Sequence, residues 1–383
     1  MKALFKLFRM SFFIILISII NSCSENKTNS QTDTKINIDI DISKVLSLSG
    51  TLFNKIEIMQ LETNDSSLFG KINYIKYMDD KYFIVVDTEL VVYIFDKSGS
   101  YVSNSERCIG NGPEEYLTIT DATYNKYTDQ FDLLDYEKKI VSYDKNFNYV
   151  AKIKFKSDKV NRFASFIPIG KSNYILTPSC LEDINKICFY DAQKDKMDIV
   201  NFEGNISKLT MTEFPFTTNK SVFIFSPCAI NYSIFSIDID KTALKPTFTL
   251  DIKHKKIDEK LLSTYKSERD KSNFLAFNSN YVIPVRNLVS EKFVMTMLMH
   301  NKKLFTNIHN IETGENKIFK NDNGKDFSLP QFFAIQNNAL YAIVYPFEVD
   351  KYINKEKLDS SSVKVLDNSN DESNPFIVKY FLK

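Results

Sequence analysis

Tyr82-Phe-Ile-Val-Val-Asp87 and Leu90-Val-Val-Tyr-Ile-Phe-Asp-Lys-Ser-Gly-Ser-Tyr-Val102 decide the fold, because their pattern returns. Asp87, Phe95, Asp96, Lys97, Tyr101 and Val102 are each matched 48 positions later by Asp135, Tyr143, Asp144, Lys145, Tyr149 and Val150. The unit reads as strand, Asp, strand ending in aromatic-Asp-Lys, turn, strand. A third copy places Tyr190-Asp191 at an offset of 47 from Tyr143-Asp144. A fainter echo ends in His309-Asn310, before the turn Glu312-Thr-Gly-Glu315. Multi-stranded repeats of about 40 to 50 residues are the mark of a β-propeller. One small sheet cannot bury both its faces alone, so such units stack around an axis.

The rest of the chain has the same strand character. Ile36-Asn-Ile-Asp-Ile-Asp-Ile42 alternates strictly, as a half-buried strand does. Val222-Phe-Ile-Phe225 and Tyr341-Ala-Ile-Val-Tyr345 are continuous β-branched and aromatic runs, suited to strands buried on both faces. The alternating strand Ile36–Ile42 and the terminal strand Pro375–Leu382 are expected to pair or share a blade, which removes an exposed edge. Two stretches break the pattern. Ile257, Leu261 and Tyr265 lie four residues apart within 257–273, and Val349, Tyr352 and Ile353 fall within 349–358. Both read as short helical insertions that cap the ring's edge.

The N-terminus has a different character. A basic start with Lys2, Lys6 and Arg9 precedes an apolar run from Met10 to Ile20, 11 residues long. A membrane-spanning helix needs about 20. These are the parts of a secretory signal. The run ends in Ile20-Asn-Ser-Cys23, which resembles the lipobox of bacterial lipoproteins. The expectation is a signal peptide over 1–22, lipid attachment (palmitate included) at Cys23, a flexible tether over 23–35 and one domain over 36–383. Ser24–Lys35 contains no hydrophobic residue, which suits a tether. A protein held this way is anchored to a membrane through lipid alone. An outer-membrane position in the cell envelope follows as the expected location.

Removing 1–22 leaves 46 basic against 48 acidic side chains. That balance gives no reason to expect nucleic acid or anionic lipid as a partner. With 32 Phe and 20 Tyr the chain can fill a large core. Cys108, Cys180, Cys188 and Cys228 remain after Cys23. Cys180 and Cys188 flank a turn, so a bridge between them is one reading; four reduced, buried thiols is the other.

Four segments carry a family resemblance: Ile58-Met-Gln-Leu-Glu-Thr63, Ile94-Phe-Asp-Lys-Ser-Gly99, Gly110-Asn-Gly-Pro-Glu-Glu-Tyr116 and Asp371-Glu-Ser-Asn-Pro-Phe-Ile-Val-Lys-Tyr-Phe-Leu-Lys383. With them the chain resembles the 6-bladed β-propeller lipoproteins of Bacteroidota, an NHL-like family. The resemblance implies an all-β, six-bladed β-propeller with one or two short helical insertions. The family usually has Gly where Glu114 stands. With only 9 Gly, the turns here must lean on Asn, Asp and Lys.

Chemical motifs are sparse. Gly110–Tyr116 lacks the Gly-Lys-Ser/Thr ending of a phosphate loop, and its two glutamates would repel phosphate. It reads as an inter-blade connection, with glycines for unusual backbone angles and Pro113 for stiffness. Asp87 and Asp135 repeat with the fold's own period, which suits turn hydrogen bonds better than an acid–base pair. His254, His300 and His309 have no metal-ligand spacing, no two cysteines form C-x-x-C, and there is no G-x-S-x-G elbow. No cofactor is expected, although calcium on the ring axis stays open.

The expected function is non-enzymatic binding or scaffolding at the axial face, with a peptide, a glycan or a partner envelope protein as ligand. Arg107, Glu115 and Tyr116 are the candidate contacts. The alternative is a lactonase-like or glycan-cleaving enzyme that uses acidic residues on that face.

Overall fold

The repeated acidic residue is a turn device. Asp96 Oδ1 accepts from Ser98 N at 2.8 Å and Ser100 N at 3.0 Å. Asp144 Oδ1 does the same for Asn146 N and Asn148 N at 2.8 and 2.9 Å. Asp191 Oδ1 takes Gln193 N and Lys194 N, and Asn310 Oδ1 takes Glu312 N and Thr313 N. Asp238 continues the series a further 47 residues after Asp191, binding Lys241 N through Oδ1. Asp87 and Asp135 close the preceding turn of their units: Asp87 Oδ1 binds Glu89 N and Val91 N, and Asp135 Oδ1 binds Glu137 N. A short side chain that satisfies two turn amides fixes the hairpin and its register.

The computed structural model describes residues 35–383 apart from 48–51, 156–159, 180–183, 207–214, 220–221, 278–279 and 323–326. The signal, Cys23, the tether up to residue 34 and Cys180 lie outside the described residues. Residues 36–383 are one compact unit of six sheets, each built on four antiparallel strands.

Three strands precede the first repeat: β1 (Ile36–Asp39), β2 (Val45–Leu46) and β3 (Phe53–Gln60). Blade 1 is β4 (Ile72–Met78), β5 (Tyr82–Asp87), β6 (Val92–Asp96) and β7 (Tyr101–Asn104). Blade 2 is β8 (Ile119–Asn125), β9 (Gln130–Asp135), β10 (Lys139–Tyr143) and β11 (Tyr149–Lys154). Blade 3 is β12 (Phe163–Pro168), β13 (Asn173–Pro178), β14 (Lys186–Asp191) and β15 (Lys196–Asn201). Blade 4 is β16 (Phe216–Asn219), β17 (Val222–Phe225), β18 (Ser233–Asp238) and β19 (Ala243–Asp251). Blade 5 is β20 (Ile283–Val289), β21 (Phe293–His300), β22 (Lys303–Asn310) and β23 (Asn316–Lys320). Blade 6 is β24 (Phe332–Gln336), β25 (Ala339–Val344) and β26 (Phe376–Leu382), completed by β3.

The first strands of the blades face the axis. Strand β4 touches β8, β8 touches β12, β16 touches β20, β20 touches β24, and β24 touches β4; blades 3 and 4 meet through a shared core that includes Ile175, Phe189, Phe225 and Phe235, which completes the circle. Between blades the cores are hydrophobic. Blades 1 and 2 share Ile84, Val86, Ile94, Leu133 and Val141; blades 5 and 6 share Leu288, Met295, Phe332, Val378 and Tyr380.

Ring closure differs from the sequence expectation. β26 pairs with β3, from Phe376↔Gln60 to Leu382↔Phe53, and not with the Ile36–Ile42 segment. Instead β1 adds to blade 4 as a parallel fifth strand, Ile36↔Phe248 to Asp39↔Asp251. β2 does the same on blade 5 through Val45↔Ile318 and Leu46↔Phe319. The N-terminal segment is thus a strap over the outer edges of blades 4 and 5 before it enters blade 6. The alternation of Ile36–Ile42 was legible because Ile38 and Ile40 are buried. It carries no information about which edge they cover. Covered edges cannot pair with another chain.

The two insertions are helical. The first joins blades 4 and 5 through helices Glu259–Ser263 and Glu268–Phe277. Asp258 caps the first by accepting from Lys260 N. Its deeply buried residues are Ile257, Leu262 and Leu275; Leu261 and Tyr265 are only half-buried. The chain breaks between two short helices, so a single four-residue spacing does not describe one face. The second lies inside blade 6, between β25 and β26, with helices Val349–Tyr352 and Ser360–Asp367. It lies on β3: Ser362 Oγ accepts from Ile58 N at 2.9 Å, and Tyr380 donates to Tyr352 O at 2.9 Å.

Cys108 and Cys188 are free, buried thiols, and Cys228 is half-buried. Burial pushes the Cys188 thiol up to about 12, so it packs as an apolar group.

Candidate functional site at one end of the ring

In blades 1 to 5 the chain runs inner strand to outer strand as a meander, and in blade 6 the antiparallel β3 takes the place of the outer strand. Inter-blade links and the turns between second and third strands therefore lie at one end. The other turns lie at the opposite end. The two ends differ in chemistry. Leu68, Ile109 and Leu117 on links, and Tyr136 and Phe347 after second strands, are exposed apolar side chains at the first end. At the opposite end the turns after first strands carry ion pairs, Lys81–Asp129 at 2.8 Å and Lys126–Asp79 at 3.0 Å. Among the described residues Tyr127 is the large exposed hydrophobic side chain in those turns.

A cavity of about 310 Å³ opens at the apolar end. Ile72, Asn73, Tyr74 and Ile75 come from the start of β4, and Arg286 from β20. Pro330, Gln331 and Phe333 come from the start of β24, and Ile343 from the end of β25. Tyr345, Glu348 and Tyr352 descend from the insertion of blade 6. The inner strands of three adjacent blades thus form its wall, and the insertion forms its rim.

Bulges aim these side chains. The inner-strand ladder skips one residue between Ile72 and Tyr74, Ile119 and Asp121, Phe163 and Ser165, Pro284 and Arg286, and Phe332 and Ala334. A bulge bends the strand and re-directs its side chains. In blades 1 and 6 the extra residues, Asn73 and Phe333, line the cavity; in blade 5 the residue after it, Arg286, does. Arg286 Nη1 donates to Phe332 O at 2.9 Å, which holds the guanidinium across the blade boundary. In blades 2 and 3 the same region is used internally. Asp121 pairs with Lys76 Nζ and accepts from Ser165 Oγ at 2.6 Å and Phe166 N at 3.1 Å.

The rim is rigid. Pro346–Glu348 forms one 3-10 turn, with Glu348 N donating to Tyr345 O at 2.8 Å. Pro346 fixes its own backbone angle. Tyr345 and Phe347 stack with centroids 5.5 Å apart and planes at 23°. Phe347 is 72% exposed. Burial holds the Tyr345 hydroxyl above its ordinary pKa, against a hydrogen bond with the Ile72 backbone.

The three sequence candidates lie elsewhere. Tyr116 is fully buried; its hydroxyl bonds Ser105 Oγ at 2.5 Å and donates to Leu90 O at 3.0 Å. It cannot reach the opening, because it fills the blade 1–blade 2 boundary. Glu115 folds back onto its own loop and accepts from Gly112 N at 2.7 Å. A Cβ on Gly110 would sit 2.1 Å from Glu115 Oε2, so this glycine gives room to a carboxylate, with no left-handed backbone involved. Glu114, where the resembling family has Gly, uses its carbonyl to accept from Tyr143 at 2.8 Å. Arg107 Nη2 donates to Asn146 O at 2.7 Å and Asn148 Oδ1 at 2.8 Å, binding a turn of blade 2. The loop joins blades. Arg107→Ala should therefore lower stability by about 1 kcal/mol and leave ligand capture unchanged, as chemical denaturation and a binding titration would show; lost capture at unchanged stability would contradict this assignment.

Among the described residues no three His, Cys, Asp or Glu side chains converge as a metal site. His309 is buried, and desolvation lowers its pKa. None of the pocket residues belongs to a recognisable motif. The one local signal is Tyr345-Pro-Phe347, an aromatic-proline-aromatic run at the end of a strand.

The model of a family described as a domain of unknown function (DUF4934) matches residues 33–381. A crystal structure of a Bacteroides fragilis protein, provisionally described as exported, superposes with a TM-score of 0.69 at 15% identity, covering 91% of this chain and 100% of that one. The WD40 domain of Neurospora crassa Pan2 gives a TM-score of 0.40 at 9% identity, covering 76% and 77% of the two chains. No curated protein matches the sequence.

Proposed function

We propose that this chain, which belongs to the DUF4934 family, is an envelope lipoprotein propeller of NHL-like type that captures a ligand without transforming it. Its site is the cavity under the blade 6 insertion. The observation that carries this reading is the cavity's construction: bulged inner strands of blades 1, 5 and 6 turn Asn73, Arg286 and Phe333 into one space beneath a fixed aromatic rim. Apolar walls with a few convergent polar groups are the usual make-up of a ligand site.

Binding is favoured over cleavage by the lining. Glu348 is the one carboxylate among the cavity's lining residues, whereas glycosidic hydrolysis ordinarily takes two. The signal-like start, Cys23 and the apolar-free stretch to Lys35 support export and lipid anchoring. The likeness to a Bacteroides fragilis protein provisionally described as exported is in keeping with that location.

The test is capture of small molecules from the organism's own envelope extract by the full chain, read by mass spectrometry after release. Gln331→Trp, which fills the exposed side of the cavity, should abolish capture without lowering the melting temperature. Equal capture by the filled variant would remove the cavity from consideration. A chemically altered product in place of the captured molecule would favour the enzyme.

A further inference from the structure

We infer that the cavity takes the end of an oligosaccharide, with the Tyr345–Phe347 pair as its stacking platform. This rests on the cavity being the ligand site. Three observations lead to it, beginning with the stacked rings. They run from the cavity rim into solvent and are held parallel on a proline-stiffened turn. A sugar ring presents a flat face of C–H groups, and an aromatic face in water is its natural complement. Phe347 forms no part of the buried core, so its exposure serves nothing in the fold. Because the turn is already closed by the Glu348 N to Tyr345 O bond, little ordering remains to be done on binding.

The second observation is the polar set. Asn73 and Gln331 each offer a donor and an acceptor, Arg286 offers donors only, and Glu348 acceptors only. Neighbouring hydroxyls, each both donor and acceptor, match such a balanced set. A single-signed ligand would leave either Arg286 or Glu348 facing a like charge. The third observation is size. About 310 Å³ lies at the small end of the usual range of about 300–1,000 Å³. It admits a terminal ring or two and leaves the rest of a chain to pass over Phe347.

A peptide is the rival occupant. Its main-chain recognition would need an unpaired strand edge or a backbone cradle. Here the polar groups are side chains, with the guanidinium of Arg286 already fixed on Phe332 O.

The test is calorimetric titration of the full chain with a panel of neutral and uronic-acid oligosaccharides of two to six rings, and in parallel with a random hexapeptide pool. The expected result is saturable binding of at least one oligosaccharide. Phe347→Ala should weaken it about five- to tenfold with unchanged melting, since the ring is outside the core. Lengthening the ligand from two to four rings should tighten binding to the native protein and not to Phe347→Ala. No binding by any oligosaccharide, or equal affinity in Phe347→Ala, overturns the inference. If the envelope extract still yields a captured molecule lost in Gln331→Trp, the ligand-binding function stands and only its chemistry is wrong. Binding of peptides and not sugars has the same meaning.

Discussion

A chain lacking Phe376–Lys383 is expected not to form a ring at all. Strand β26 lies inside blade 6, hydrogen-bonded to β25 on one side and β3 on the other. Phe376, Ile377, Val378, Tyr380 and Leu382 are all at most 2% exposed. At about 1.5–3 kcal/mol for each buried side chain, their loss removes about 8–15 kcal/mol. That equals the whole stability of an ordinary domain, about 5–15 kcal/mol. Circular dichroism should show no cooperative melt. Removing residues 35–46 is the contrasting case. It uncovers the outer edges of blades 4 and 5 and exposes Ile38 and Ile40, yet leaves every four-stranded blade complete. This second deletion should lower the melting temperature and raise the tendency to associate, with the ring intact. A cooperative transition in the first truncation, within five degrees or so of the parent, would refute β3–β26 closure as the decisive link.

The second large effect is expected at Asp132. Its carboxylate is fully buried between blades 2 and 3. Oδ1 accepts from Ser142 Oγ at 2.5 Å, and Oδ2 from Asn125 Nδ2 and Tyr174 Oη, each at 3.0 Å. Asp132→Ala takes the acceptor from the Ser142 and Tyr174 hydroxyls and leaves Asn125 Nδ2 only its long 3.5 Å bond to Tyr174 Oη, and should cost about 3–5 kcal/mol. Asp132→Asn keeps the shape and one acceptor and should cost less. Desolvation raises the Asp132 pKa, and the three hydrogen bonds only partly oppose it. A carboxyl that holds its proton more tightly in the folded chain adds most to stability below its unfolded value. That contribution falls as pH rises through the folded value. Stability of the native chain should therefore decline on this account as pH is raised from about 4, and Asp132→Asn should lack that part of the slope. Urea titrations at several pH values measure it; identical slopes for native and Asn chains would show that Asp132 does not titrate in this range.

What could be read in advance was turn chemistry. The Asp96, Asp144 and Asp191 turns recur because in blades 1 to 3 the same short acceptor serves the amide two residues on and a second amide three or four residues on, which fixes both spacing and residue type. Blades 5 and 6 keep the hairpins and lose the signal. Asn310 replaces Asp, the helical insertions 257–277 and 345–375 stretch the period, and β26 ends without a following turn. The strap was misplaced for a related reason. Its alternation fixes which side is buried, while the partner edge depends on where a 348-residue ring happens to pass. The site was the least legible part. Its lining is drawn from 72–75, 286, 330–333 and 343–352, brought together only by ring closure, and its side chains are aimed by bulges that leave no spacing in the sequence. Arg107, Glu115 and Tyr116 stood out because a Gly-Pro loop is conspicuous, yet conspicuousness there reflects the tight fit of Glu115 over Gly110.

Because β3 and β26 come from opposite ends of the described chain, the order in which its segments emerge matters to this molecule. Blades 1 to 3 can assemble while later residues are still emerging, but the sixth stays a two-stranded stub with greasy edges until residue 382 arrives. During that interval the nascent chain is an open arc, and a chaperone able to shield the arc's two ends would govern how much of it ever reaches a closed state.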